Sequence, residues 1–135
     1  VTVQLWISSS AVDTDFTAKL IDVYPPSTDY AEGYALNLTD GILRVKFRNS
    51  WERTELMTPG EVYNVEVGML PISNRFLKGH RIRLDISSSN FPRFDVNGNT
   101  GENPGTSPAR VTALNSVYHD ENRASHVLLP VVPNP

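Results

Sequence analysis

The residues with nucleophilic or acid–base potential are three histidines, His80, His119 and His126, and two serine runs, Ser8-Ser9-Ser10 and Ser87-Ser88-Ser89. A serine hydrolase raises its nucleophile on a strained strand-to-helix turn of the form G-x-S-x-G, and that pattern does not occur. Both serine runs follow apolar segments without a framing glycine pair, so they read as strand-end hydroxyls bonded to nearby backbone. His119-Asp120-Glu121 sets a base beside carboxylates, but sequence neighbours do not face each other as a base and its orienting acid must. A solvated turn explains them equally well. His80 shares parity with Ile82, Leu84 and Ile86, which places it at the rim of a buried face with a backbone carbonyl as its expected partner. Two-histidine zinc spacing is missing, and the chain has no cysteine to supply a thiolate nucleophile, a disulfide or a zinc ligand. The sequence therefore offers no catalytic residue, no metal site and no cofactor site.

Oxygen-rich turns need separate treatment. Asp95-Val96-Asn97-Gly98-Asn99-Thr100-Gly101 resembles a calcium loop, but its glycine falls one place late and Thr106 stands where a bidentate glutamate should close the site. A self-hydrogen-bonded Asx loop is the alternative, and Asp13 and Asp15, flanking Thr14, are open to the same two readings. Asn37-Leu38-Thr39 matches the glycosylation sequon. Trp51, Phe91, Arg93 and Phe94 are aromatic and arginine side chains in or beside loops, a composition enriched at interfaces, so they are the candidate domain-interface residues; anchoring of loops into the core is the competing role.

The elements that must position these groups are strands. Alternation of period two marks Val1 to Ile7, Asp15 to Tyr24, Ile42 to Arg48, Glu61 to Met69 and His80 to Ser87. Arg110 to Tyr118 is a weaker strand, and Val127 to Val132, apolar on both faces, reads as a covered one. Thr39-Asp40-Gly41, Pro59-Gly60 and Lys78-Gly79 are expected turns. Residues 90–108 form one long irregular segment, and Trp51 to Met57 is either a brief helix or an extended arm. Many short strands with frequent turns predict an all-β fold, a two-layer antiparallel β-sandwich or jelly roll.

At 135 residues the chain fits one domain, 1–135, with a real core. A net charge of −3 gives no broad attraction to nucleic acid or to an anionic membrane surface. The cluster Arg44, Lys46, Arg48 and Arg53 is expected to form a solvated face. No apolar stretch approaches the roughly 20 residues of a spanning helix. Val1 stands inside a strand pattern without a methionine, so the chain is expected to be cut from a longer polypeptide, with the first strands of its sandwich upstream. The compartment stays open between bacterial cytoplasm and secretion.

Longer blocks carry a resemblance. Ser8 to Leu20, Asn37 to Arg44, Pro59 to Tyr63, Gly79 to Asp95 and Ser125 to Val131 resemble the C-terminal non-catalytic domain of the cocaine esterase and X-prolyl dipeptidyl-peptidase family of α/β-hydrolases, whose relatives include α-amino acid ester hydrolases and glutaryl-cephalosporin acylases. Residues 101–117 depart from that pattern. The resemblance implies a galactose-binding-like jelly roll packed against an α/β-hydrolase domain of the same polypeptide, which holds the catalytic triad. It also implies a structural and substrate-gating role, with assembly into homo-oligomers possible for such hydrolases. Two other functions compete. One is a carbohydrate-binding module using Trp6 and Trp51 as platforms; the other is an independent hydrolase using His119 with a nearby serine.

Overall fold

The computed structural model describes residues 1–133; the last two residues of the 1–135 domain lie outside the described residues. Among the described residues, nine strands and one short 3-10 turn form an antiparallel β-sandwich. In β1 (Thr2–Ser9) the odd residues Val3, Leu5 and Ile7 are buried, as their alternation requires. On one side β1 pairs with β4 (Tyr63–Gly68). On the other it pairs with two short pieces, β6 (Asn115–Val117) opposite its C-terminal residues and β9 (His126–Leu128) opposite its N-terminal ones. Between those pieces the chain leaves the sheet as the small hairpin of β7 (His119–Asp120) and β8 (Arg123–Ala124).

The second sheet runs β3 (Tyr34–Arg44), β2 (Asp15–Tyr24), β5 (Arg81–Ser87), with β2 central. Flanked on both sides, β2 is buried through most of its length, including Asp15, Thr17 and Asp22. Phe16, Ala18, Leu43 and Val45 of this layer meet Val3, Leu5, Ile7, Val65 and Val67 of the first, and Met57 plugs the core from the side. The β3 and β4 backbones approach closely where Gly41 lies against the carbonyl of Gly68; any Cβ at Gly41 would overlap that oxygen.

Several local expectations give way. Thr39-Asp40-Gly41 is no turn but the middle of β3, because a bulge between Leu20 and Ile21 absorbs one residue and lets pairing continue to Tyr34. The expected strand Ile42 to Arg48 stops at Arg44, and Val45–Phe47 is a 3-10 turn. There the Val45 amide is taken by the Thr14 carbonyl and the Lys46 amide by the Asp13 side chain, so the β2–β3 ladder is not extended. Ile82, expected inward, is 53% exposed, since the first sheet does not extend over that part of β5. Of the expected 127–132 strand only Val127 and Leu128 are paired, within β9, and Val131 and Val132 are exposed rather than covered. Trp51 to Met57 takes the extended-arm form, tied down by Glu55 N–H to Lys46 O and by Met57 N–H to Val12 O. Pro59-Gly60 and Lys78-Gly79 are turns, with Gly60 and Gly79 both at positive φ.

Candidate functional site

The expected solvated basic face is instead a set of cations turned toward acids. Arg44 donates to both carboxylate oxygens of the buried Asp15, each at 3.0 Å, and also reaches Asp95. Lys46 is itself buried; its Nζ donates to the carbonyls of Gly101 (2.9 Å) and Glu102 (3.2 Å) and stands 3.8 Å from Asp13. Arg48 pairs with Glu55 and lies over the Tyr63 ring. Arg53 alone of the four stays exposed among the described residues without an ion pair. Periodicity could not show this, because each acid sits on a different element from its cation.

Asn97 completes that cluster. Its Nδ2 donates to Asp13 (3.1 Å) and Asp15 (2.7 Å), while its Oδ1 accepts the Asn99 amide, closing an Asx turn. The 95–101 loop thus takes the Asx form, with the Lys46 ammonium lying among the oxygens of Asp13, Gly101 and Glu102. Burial pushes the Asp13 carboxyl above the usual range, against the opposing pull of Asn97 and Lys46. The hydrogen bond to Asp15 holds Arg44 firmly charged.

The histidines take other partners than expected or none that orients a base. His80 bonds through Nδ1 to the Asp22 carboxylate at 2.9 Å, not to a backbone carbonyl, and its ring packs on Tyr24 with centroids 4.1 Å apart. The partner Asp22 is fully buried and lies 58 residues away in sequence, so only the fold could reveal it. Asp120 turns from His119 to Arg123, and His126 bonds to the Ala124 carbonyl. The serine hydroxyls bond locally or to loops: Ser9 accepts from Ala11 N–H, Ser10 from Leu114 N–H, and Ser87 from Ser89 N–H.

The four candidate interface residues separate into two places. Trp51, 78% exposed, stacks on Phe47 at the far end of β3. Phe91, 71% exposed, stands at the tip of the turn that follows β5. Arg93 in that turn donates to the buried Asp40 at 2.9 Å and lies over Phe94, which is half-buried. The described surface includes two hollows near the β3 strand. One, of about 530 Å³, is lined by Tyr24, Tyr34, Pro25, Pro26 and Arg81 near the β2–β3 connection. The other, of about 300 Å³, lies between the β3 edge and the segment leaving β4, with Leu38, Asp40, Leu70, Ile72 and Arg93 in its lining. Neither contains Trp6 or Trp51.

Residues 1–128 match the family described as the X-Pro dipeptidyl-peptidase C-terminal non-catalytic domain. Cocaine esterase from Rhodococcus sp. is 44% identical over 134 residues, covering 98% of this chain and 22% of that enzyme. Two solved structures superpose closely. An aminopeptidase from a marine sediment Thaumarchaeota archaeon gives a TM-score of 0.85 at 28% identity, over 92% of this chain and 21% of that one. An α-amino acid ester hydrolase gives 0.81 at 28% identity, over 93% of this chain and 22% of that one. The chain thus spans about a fifth of the length of the relatives it matches. All of these are hydrolases, and nothing in them supports the carbohydrate-binding alternative. Fold and sequence agree: the chain belongs to the X-Pro dipeptidyl-peptidase C-terminal non-catalytic domain family.

Proposed function

We propose that this chain is a structural and substrate-gating domain of a serine hydrolase whose acyl-enzyme forms in another part of the same polypeptide. The observation that carries the reading is the similarity to cocaine esterase, which takes in 98% of this chain and only 22% of that enzyme. In this reading an α/β-hydrolase domain supplies nucleophile, base and oxyanion hole, and this sandwich covers one flank of the cleft. Trp51 and Phe91, large and exposed, are its contact residues toward the cleft or the catalytic domain, with Arg93 and Phe94 setting the pose of the Phe91 turn. Strands preceding Val1 complete the sandwich; half-exposed Ile82 on the open edge of β5 supports this part. Self-assembly of the parent polypeptide belongs to the same reading and is tested by light scattering.

A serine-directed phosphonate tests the division of labour. The intact polypeptide is expected to label at one serine outside residues 1–135, while the isolated chain stays unlabelled; stoichiometric labelling within 1–135 overturns the reading. Gating is tested separately. Trp51→Ala and Phe91→Ala in the intact polypeptide should change the ratio of kcat/KM for bulky over small acyl esters, and an unchanged ratio removes gating while leaving the hydrolase in place.

A further inference from the structure

Asn97-Gly98 is the one Asn-Gly step in the sequence. Asparagine is a chemically labile side chain, and most so before glycine, where no Cβ hinders attack of the next amide nitrogen on the carboxamide carbon. Packing demands the glycine, since a Cβ at position 98 would overlap the Ala109 carbonyl. Hydrogen bonding demands the asparagine: its short carboxamide gives N–H groups to Asp13 and Asp15 while its oxygen accepts the Asn99 amide. The fold thus calls for a reactive pair at the point where it also restrains it.

The restraint is specific. Ring closure between Asn97 and Gly98 expels the side-chain nitrogen as ammonia, so it must sever the bonds from Nδ2 to Asp13 (3.1 Å) and Asp15 (2.7 Å). Asn97 is buried, and the backbone beside it is tied as well. The Gly98 carbonyl accepts the Val111 amide at 2.9 Å, and the Asn99 side chain donates to the Val111 carbonyl at 2.9 Å. Reaction therefore waits on local opening of the loop away from β2.

We propose that Asn97 is a site of spontaneous conversion to aspartate and isoaspartate, which the closed loop suppresses and which, once made, keeps the loop open. The Gly98 amide nitrogen loses its proton and bonds to Asn97 Cγ; the Cγ–Nδ2 bond breaks and ammonia leaves. Water then opens the resulting succinimide at either carbonyl, giving aspartate or a chain rerouted through Cγ. Either product replaces two N–H donors by a third carboxyl group against Asp13 and Asp15, so the loop does not close on β2 again. A reversible opening is thereby made permanent. Nothing in this depends on what the rest of the polypeptide catalyses.

The test ages the intact polypeptide in warm, mildly alkaline heavy-oxygen water and follows Asn97 by peptide mass spectrometry, beside a synthetic peptide of residues 94–101. Native Asn97 is expected to take up heavy oxygen at least about ten-fold more slowly than the peptide, and to reach the peptide's rate once urea unfolds the chain. Asn97→Asp reproduces the product directly. Its Asn99 and Val111 amides should exchange with deuterium at least about ten-fold faster than in the unaltered protein, while those of β1 and β4 keep their protection. Should Asn97→Asp not fold, aged molecules converted at Asn97 are separated by their altered charge and read in the same way. Native conversion at the peptide's rate overturns the proposal, as does a converted loop whose Asn99 and Val111 amides exchange as slowly as before.

Discussion

Asn97 donates its side-chain amide to Asp15 at 2.7 Å across 82 residues of sequence, and the same nitrogen also reaches Asp13. One amide thereby fastens the long loop after β5 to the start of β2. Asn97→Ala would leave two buried carboxylates short of a donor, at a cost of about 2 kcal/mol. Urea unfolding of the chain checks this. A loss below about 0.5 kcal/mol, the size of a neutral surface change, would show that the loop is held by other contacts.

Lys46 is the cation of the same cluster. Lys46→Met removes the charge while keeping most of the side-chain volume, and should destabilise by about 3 kcal/mol, the scale of breaking a buried pair from one side. Because the ammonium already sits among the Asp13, Gly101 and Glu102 oxygens, EDTA and millimolar calcium should leave the melting temperature of the unaltered chain where it is. A calcium-dependent rise would mean the loop takes metal after all.

Asp13 should give the pH dependence a recognisable sign. Burial holds its folded-state pKa above the usual carboxylate value, so the folded chain retains this proton more tightly than the unfolded one. Its stabilising contribution is fully present below the unfolded value and is lost as pH rises through the folded one. Compared with Asp13→Asn, the unaltered chain should therefore lose relative stability as pH rises from about 3 toward neutrality. Urea midpoints for both proteins over a pH series measure it, and parallel curves would contradict it.

Two glycines separate backbone strain from steric contact. Gly60 has a φ of 82° and open space where a Cβ would stand, so Gly60→Ala incurs only the left-handed penalty, about 1 kcal/mol. Gly41 has a φ outside the left-handed region but meets the Gly68 carbonyl, so Gly41→Ala must push two sheets apart, at about 2–3 kcal/mol. Thermal unfolding should rank Gly41→Ala as the more damaging of the two, and the reverse order would mean that the sheets part easily there.

Much of the sandwich was legible locally. The apolar alternation of Val3, Leu5 and Ile7, and of Val65 and Val67, is a backbone property, and those residues face the core as their parity demands. Turn chemistry at Gly60 and Gly79 was legible for the same reason. The Thr39-Asp40-Gly41 signal failed because a bulge and a close sheet approach use the same small residues as a turn. Ile82 failed because parity gives a direction for a side chain and says nothing of whether another layer covers it, and Val131 failed because an apolar run likewise does not supply the layers that would cover it.

By itself the sequence determined β1, β2, β4 and β5, the inward faces of β1 and β4, the absence of cysteine chemistry and, through its longer blocks, the family resemblance. Tertiary structure alone decided the fate of the charges: Arg44 on Asp15, Lys46 beside Asp13, His80 on Asp22, and Arg93 on Asp40. It also decided that Leu70 and Arg93 share one hollow while Trp51 stands apart on Phe47. The physical reason is range. Period-two alternation is set by neighbouring dihedrals and can be read along the chain, whereas ion pairs and surface hollows form between elements whose separation in sequence carries no information about their separation in space.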